Sequence, residues 1–136
     1  VDIDGTPNTV TIDVTSVNDA PDGTDNTLTA LEDTDYAFSV ADFGLTDAND
    51  TPTNNFQSVI ITTLPATGVL ELSGVAVTAG QEITAAQVAN LTFAAAAGES
   101  GTSYSSFSFQ VRDDGGTANG GLDTDASAHA ITIDIT

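Results

Sequence analysis

The chain has 136 residues, of which 20 are Asp or Glu and one is Lys or Arg, so its formal net charge is -19. This length suits one domain with an ordinary core, and the charge predicts repulsion from nucleic acid and from anionic membranes. The sequence contains no Cys, which excludes disulfides and thiolate metal sites and leaves packing, or a metal bound through oxygen, to hold the fold. It also contains no apolar run long enough to insert into a membrane.

Apolar residues alternate with polar ones in a series of short segments, which is the pattern of half-buried β-strands. In chain order, the predicted strands cover residues 10–14, 36–40, 56–63, 69–72, 75–77, 91–93, 107–111 and 131–135. Turn-forming runs such as NDAPDG and DDGG lie between them. Thr84 and Gln87 have the spacing of a capping box and predict one short helix within residues 84–90. The sequence therefore predicts an all-β, antiparallel sandwich with one short helix.

The start and the end of the chain are alike. Residues 1–15 (VDIDGTPNTVTIDVT) align without a gap to residues 122–136 (LDTDASAHAITIDIT), at a constant offset of 121 residues. The alternative to a repeat is two unrelated strands that agree because both are rich in Thr, Asp and Ile. A tandem array is the simpler account, and it predicts that residues 1–15 form the last strand of a preceding repeat, residues 16–21 a linker, and residues 22–136 the repeat itself.

Three polar runs between the predicted strands offer oxygen ligands: SVNDAP, DAND and DDGG. Calcium takes six to eight oxygen ligands, normally from several loops, and a divalent cation relieves the repulsion between clustered carboxylates. The other interpretation of the same runs is a set of solvated turns rich in Asp and Gly. Under the calcium interpretation, the candidate ligands are Asn18, Asp19, Asp47, Asn49 and Asp113.

Two aspartate pairs occupy equivalent places in the repeat, each in the loop before a last strand. They are Asp2 with Asp4 and Asp123 with Asp125. Two interpretations are open: the pairs stabilise that loop, or they keep a sheet edge charged and unpaired.

The sequence predicts no enzyme. His129 is the only His and has no nucleophile motif near it. A catalytic pair of carboxylates needs one member in an apolar pocket, whereas the aromatic residues here alternate into the predicted core. Arg112 is expected to pair with neighbouring carboxylates rather than to bind a substrate.

The order of these features resembles a known family. The run FQVRDDGGTANGGLDTDASAHAITIDIT, with TSVNDAP after the equivalent strand, is similar to the end of a cadherin-type repeat. It is most similar to the bacterial cadherin-like repeats of giant secreted surface proteins and RTX-type adhesins, and ITTLPATGVLELSGVAVTAGQEITAAQVANLTF resembles the middle of such units. The resemblance covers nearly the whole chain and implies a Greek-key sandwich of the cadherin/immunoglobulin-like kind.

The resemblance also implies a calcium site between repeats. By position, Asn18 and Asp19 match the family's linker, Asp47 and Asn49 its DxD-like loop, Asp113 its DxG-like loop, and Glu32 an early-strand Glu that serves the opposite end of the domain. The linker carries Ser16 where cadherins usually have Asp and is one residue short, and the chain has no Asp-Arg-Glu motif. These departures imply one or two calcium ions rather than three.

The function implied is that of a structural extender on the bacterial cell surface, outside the cell, made rigid by Ca2+ at the linkers between neighbouring repeats of one polypeptide. One alternative is a calcium-dependent adhesion module that binds a glycan or a surface protein. Another is a subunit that exchanges its first strand with a second molecule to form filaments.

Overall fold

The computed structural model describes residues 2–136, and Val1, the first residue of the predicted preceding repeat, lies outside them. Over this range the chain forms two sheets. The five-stranded sheet contains β1 (Asn26–Ala30), β3 (Phe56–Thr63), β6 (Gln81–Thr84), β8 (Gly101–Asp113) and β9 (His129–Ile135), in the order β1-β9-β8-β3-β6. The four-stranded sheet contains β2 (Tyr36–Ala37), β4 (Val69–Leu72), β5 (Val75–Ala76) and β7 (Leu91–Ala94), in the order β2-β7-β4-β5.

One apolar core lies between the two sheets. Alternate residues of β8 and β9 are buried because successive side chains of a strand point to opposite faces. Phe93 and Leu70 from the smaller sheet pack into the same core. The rings of Phe43 and Phe109 meet edge to face at 5.1 Å near the start of β9, which is a favoured aromatic geometry. The packing fixes the ends of β8 and β9, and hence the loops that follow or precede them.

The predicted all-β sandwich with one short helix is confirmed. The helix, α1 (Ala85–Val88), lies inside the predicted range, and the N–H of Thr84 donates to Gln87 Oε1 at 3.0 Å as the capping box requires. Among residues 2–136, no helix has the length and apolar character needed to cross a bilayer.

The prediction of an antiparallel sandwich is wrong for one pair of strands. β1 pairs with β9 in parallel, with Asn26 opposite Ile131 and Ala30 opposite Ile135, whereas the other pairs of named strands are antiparallel. Hairpin connections force strands to run antiparallel. β1 and β9 are the first and last strands of the described chain, so no hairpin joins them and either direction is open.

The strand predicted at residues 36–40 is also shorter than expected. It ends at Ala37, and a short 3-10 helix follows from Val40 to Phe43. The Asp42 carboxylate accepts the N–H of Ser39 at 2.7 Å, and such a local bond diverts the backbone from a strand ladder. Phe43 is buried as a result, and it closes the core beside the loops discussed below.

The strand predicted at residues 10–14 pairs with no strand of the described chain. Its apolar side chains are almost fully exposed, at 83% for Val10, 80% for Ile12 and 91% for Val14. The side chains that align with them in β9 are at most 3% exposed: Ile131, Ile133 and Ile135. The assignment of residues 1–15 to a preceding repeat stays a prediction.

Candidate cation-binding sites

Three loops converge where β8 ends and β9 begins. Asp22 and Thr46 form an isolated antiparallel bridge, in which each N–H donates to the other's carbonyl oxygen at 2.8 Å. This bridge holds the residue that directly follows the linker against the loop between β2 and β3. The N–H of Leu122, in the loop between β8 and β9, donates to the carbonyl oxygen of Asn18 at 2.8 Å. Residues far apart in sequence are therefore held at one end of the larger sheet.

The first group of polar residues at this end is the acidic cluster, defined as Asn18, Asp47, Asp50, Asn54 and Asp113. Asn18 Nδ2 donates to Asp113 Oδ1 at 2.9 Å, and Asn54 Nδ2 donates to Asn18 Oδ1 and, at 3.4 Å, to Asp50 Oδ2. The backbone N–H of Asn54 donates to Asp47 Oδ2. The two side-chain amides therefore connect Asp113 to Asp50, and the backbone of Asn54 adds Asp47.

Two carboxylate oxygens of the acidic cluster are buried without a partner. Asp47 Oδ1 and Asp113 Oδ2 accept no hydrogen bond from residues 2–136, although Asp47 is only 6% exposed and Asp113 is fully buried. Buried polar atoms normally have a partner, and a buried carboxylate oxygen without one is costly. The two orphaned oxygens mark where a cationic group would be favourable.

The electrostatics of Asp113 agree with this geometry. Burial raises the pKa of Asp113, and the nearby carboxylates of Asp47 and Asp123 raise it further. Hydrogen bonds from Asn18 Nδ2 and from the backbone N–H of Gly115 act in the opposite direction. The folded protein thus disfavours the charged form of Asp113.

Three of the six predicted ligands lie in the acidic cluster: Asn18, Asp47 and Asp113. Asp19 is adjacent, but its side chain is exposed, and its backbone N–H donates to Asp50 Oδ2 at 2.9 Å. The prediction that the linker, the DxD-like first loop and the last loop contribute to one place rests on the family resemblance.

Asn49 and Glu32 lie outside the acidic cluster. Asn49 is exposed on the same loop. Glu32 follows β1, with its N–H donating to the carbonyl oxygen of Thr136 at 2.8 Å, which places it at the opposite end of the sheet. Its assignment as a calcium ligand stays a prediction. The alternating pattern of DAND selected Asn49 because it assumed an extended chain. The loop instead presents Asp50, three residues after Asp47, and Asn54, which sequence reasoning missed.

The second group is the histidine cluster, defined as Asp22, Asp25, Asp125 and His129. His129 Nε2 lies 3.1 Å from Asp22 Oδ1 and 3.2 Å from Asp125 Oδ2, and Nδ1 lies 3.4 Å from Asp25 Oδ1. Asp22, Asp125 and His129 each direct one ligand atom to a common place and could hold a metal ion. No sequence pattern predicted this cluster, since its members come from the linker region, the last loop and β9.

The last-loop pair Asp123 and Asp125 accepts hydrogen bonds both from its own loop and from neighbouring segments, which favours the loop-stabilising interpretation. Asp125 accepts the backbone N–H groups of Gly23 and Ser127, both at 2.8 Å. Arg112 Nη2 donates to Asp123 Oδ2 at 2.6 Å, and this bond foremost lowers the pKa of Asp123. Arg112 also pairs with Glu82 at 3.0 Å, so its structural surroundings match the expected pairing with carboxylates.

No family model, curated protein or solved structure matches this chain. The chemistry of the two clusters is therefore the basis on which a function can be proposed, and the resemblance to cadherin-like repeats stays a prediction. The acidic cluster offers oxygen atoms alone, which suit hard cations, whereas the histidine cluster adds an imidazole nitrogen.

Proposed function

We propose that this chain is a calcium-binding structural module, joined end to end with similar repeats in a large extracellular bacterial adhesin. The observation that carries the proposal is the pair of orphaned, buried carboxylate oxygens on Asp47 and Asp113. Both belong to loops that the family resemblance assigns to calcium. The charge of -19 adds a general preference for cations.

The ligand chemistry favours Ca2+ over softer metals. The acidic cluster contains three carboxylates, and Asn18 and Asn54 add side-chain carbonyl oxygens. Calcium is bound by such oxygen sets in flexible geometry and accepts six to eight of them. An amide rotated by half a turn presents its oxygen where its nitrogen was. Rotation of the Asn54 amide would also release Asn18 Oδ1, which accepts from Asn54 Nδ2, so both amide oxygens can serve a cation while Asn18 Nδ2 keeps its own bonds.

The linker gives the site its structural role. Asn18 belongs to the linker and is bonded on one side to Asp113 and on the other to the carbonyl oxygen of Leu122, at 2.7 Å. A cation held by Asp47 and Asp113 would fix Asn18 and with it the direction from which the chain enters the domain. An ion that binds only the folded state, at a hundredfold excess over its Kd, stabilises that state by about 2.7 kcal/mol.

The proposal of neighbouring repeats is supported by the unpaired segment at residues 10–15. Its apolar side chains are exposed, while their counterparts in β9 are buried, so the segment has the pattern of a last strand whose own sheet is elsewhere. A second candidate function uses the same observation: the segment completes the sheet of another molecule and builds a filament. Size-exclusion chromatography of the chain with and without residues 1–15 separates the two, since only exchange gives assemblies that grow with concentration.

Thermal unfolding tests the calcium proposal. We expect a hundredfold excess of Ca2+ over Kd to raise the Tm by about 10 °C relative to EDTA, taking about 4 °C per kcal/mol for a domain of this size, with a smaller effect of Mg2+. Asp47→Asn should lose most of the rise. The control Asp35→Asn removes the same charge from the exposed turn between β1 and β2 and should keep it. An equal rise in both variants, or none in the parent chain, contradicts the proposal.

A further inference from the structure

The histidine cluster has a geometry that the calcium proposal does not use. The ring of His129 directs Nε2 between Asp22 Oδ1 and Asp125 Oδ2, and directs Nδ1 to Asp25 Oδ1. One ring nitrogen thus faces a pair of potential ligands, while the other faces a carboxylate behind it. Metal-bound histidines usually engage their second nitrogen with such a carboxylate, because it orients the ring and makes the binding nitrogen more basic.

The potential ligands are held in place by their surroundings. Asp125 is 3% exposed, and each of its oxygens accepts a backbone N–H, from Gly23 and Ser127. The His129 ring packs 6.1 Å from the ring of Phe109. The approach of Gly23 is close, since a Cβ there would lie 3.0 Å from His129 Cδ2 and 3.3 Å from Asp125 Oδ2. The relative positions of the nitrogen and the Asp125 carboxylate are therefore fixed before any ion arrives.

We propose that Asp22, Asp125 and His129 form a binding site for a first-row transition metal ion, with Zn2+ as the expected ion. One imidazole nitrogen and two carboxylates make a mixed set that suits Zn2+, Co2+ or Ni2+ rather than Ca2+. The Asp22 side chain is 70% exposed, so water can complete the coordination. Asp25 is a positioning residue, which acts through the other ring nitrogen of His129.

The site would join two parts of the chain that are distant in sequence. Asp22 follows the linker and His129 is the first residue of β9, 107 positions further along the chain. A metal bound by both would fasten the segment before β1 to the start of β9, the strand with which β1 pairs. This clamp lies at the same end of the sheet as the acidic cluster but shares no residue with it, so either site can be lost without removing the ligands of the other.

Titration with Zn2+ in saturating Ca2+ tests the inference. We expect calorimetry on the parent chain to give one Zn2+ site, and Co2+ to give the visible absorption of a coordinated ion. His129→Gln should weaken Zn2+ binding at least about tenfold, since changes even to groups behind the ligands cost about 10- to 100-fold. It should keep the calcium-dependent rise in Tm, which also verifies that the variant folds. Asp47→Asn should show the reverse pattern.

Nitrogen-15 NMR of His129 in the unmutated chain provides a readout that needs no variant. Coordination through Nε2 should shift the Nε2 resonance on addition of Zn2+ and leave Nδ1 in its protonated form. The inference is overturned if the resonances do not respond, if His129→Gln binds Zn2+ as tightly as the parent chain, or if Asp35→Asn weakens Zn2+ binding as much as Asp22→Asn. In those cases the imidazole and the carboxylates form an ion-pair cluster alone.

Discussion

Asp113→Asn should have opposite effects on stability with and without calcium. In EDTA, the substitution removes a buried charge that Asp47 and Asp123 repel. The oxygen of the new amide can keep the bonds from Asn18 and from the Gly115 N–H, while an uncharged nitrogen takes the place of the orphaned carboxylate Oδ2. With calcium present, the same substitution would remove one of the proposed carboxylate ligands.

The size of the effect of Asp113→Asn on the Tm can be estimated both in EDTA and in calcium. Burying an unpaired charge costs more free energy than burying a neutral amide, by on the order of 1 kcal/mol, so in EDTA we expect the Tm of Asp113→Asn to exceed that of the parent chain by about 4 °C. At a hundredfold excess of calcium over Kd, the parent chain gains about 2.7 kcal/mol, or about 10 °C, and the variant gains little. The order of stability of the two proteins therefore reverses on addition of calcium.

The pH dependence has a definite sign. Because the folded protein raises the pKa of Asp113 above 3.8, its protonation favours folding, and this contribution is fully present below the unfolded pKa and lost as the pH rises through the folded pKa. In EDTA the advantage of Asp113→Asn should therefore shrink as the pH is lowered to about 3. Subtracting the stability–pH curve of the variant from that of the parent chain cancels the contribution of the carboxylates that both proteins share.

Differential scanning calorimetry of both proteins, in EDTA and in calcium at several pH values, measures these quantities. An equal destabilisation by Asp113→Asn in EDTA and in calcium would contradict a role of Asp113 in calcium binding. Asp113 would then act only as a hydrogen-bond acceptor for Asn18 and Gly115, and the orphaned oxygen would have no cation to bind.

The repeated strand and the arginine ion pair offer two further tests. In urea unfolding, Ile133→Ala should lower the free energy of unfolding by about 2–5 kcal/mol because Ile133 is fully buried. Ile12→Ala should change it by less than about 0.5 kcal/mol because Ile12 is 80% exposed. Equal losses in the two variants would mean that the first segment packs on the domain. Asp123→Asn should cost about 1.5–3 kcal/mol at pH 7. Because Arg112 lowers the pKa of Asp123, this contribution is present above the unfolded pKa and lost as the pH falls, so a loss as large at pH 2 as at pH 7 would contradict the ion pair.

The sequence predicted strands well where alternation was strong. β3 and β4 have the predicted bounds, and β9 includes the whole predicted segment. β1 (NTLTA) and β6 (QEIT) were missed because each offers one large apolar side chain, Leu28 or Ile83. Both lie at the edges of the larger sheet, where pairing with a neighbouring strand, not local pattern, decides their conformation.

The acidic cluster could be anticipated only in part. Asp47 and Asp113 follow from acidic runs between strands, and their association came from the family resemblance. Asp50 and Asn54 depend on the path of an irregular loop, which residue spacing does not give. The histidine cluster depends on an Asp22–Thr46 bridge and a β9 register that no local pattern encodes, so a lone His in an acidic chain gave no signal.

The near identity of residues 10–15 to β9 restricts how this chain can exchange strands. Ten residues separate Thr15 from Asn26, whereas two neighbouring parallel strands need a crossover of about a dozen residues or more. Within one molecule, the segment is therefore too closely tethered to take the place of β9 beside β1. Between molecules that limit does not apply, but Val10 and Val14 replace isoleucines, and each lost methylene costs about 0.5–1.5 kcal/mol. Each domain is thus biased to retain its own last strand. If such units stand close together, β1 is expected to pair with β9 of its own domain rather than with residues 10–15 of another molecule.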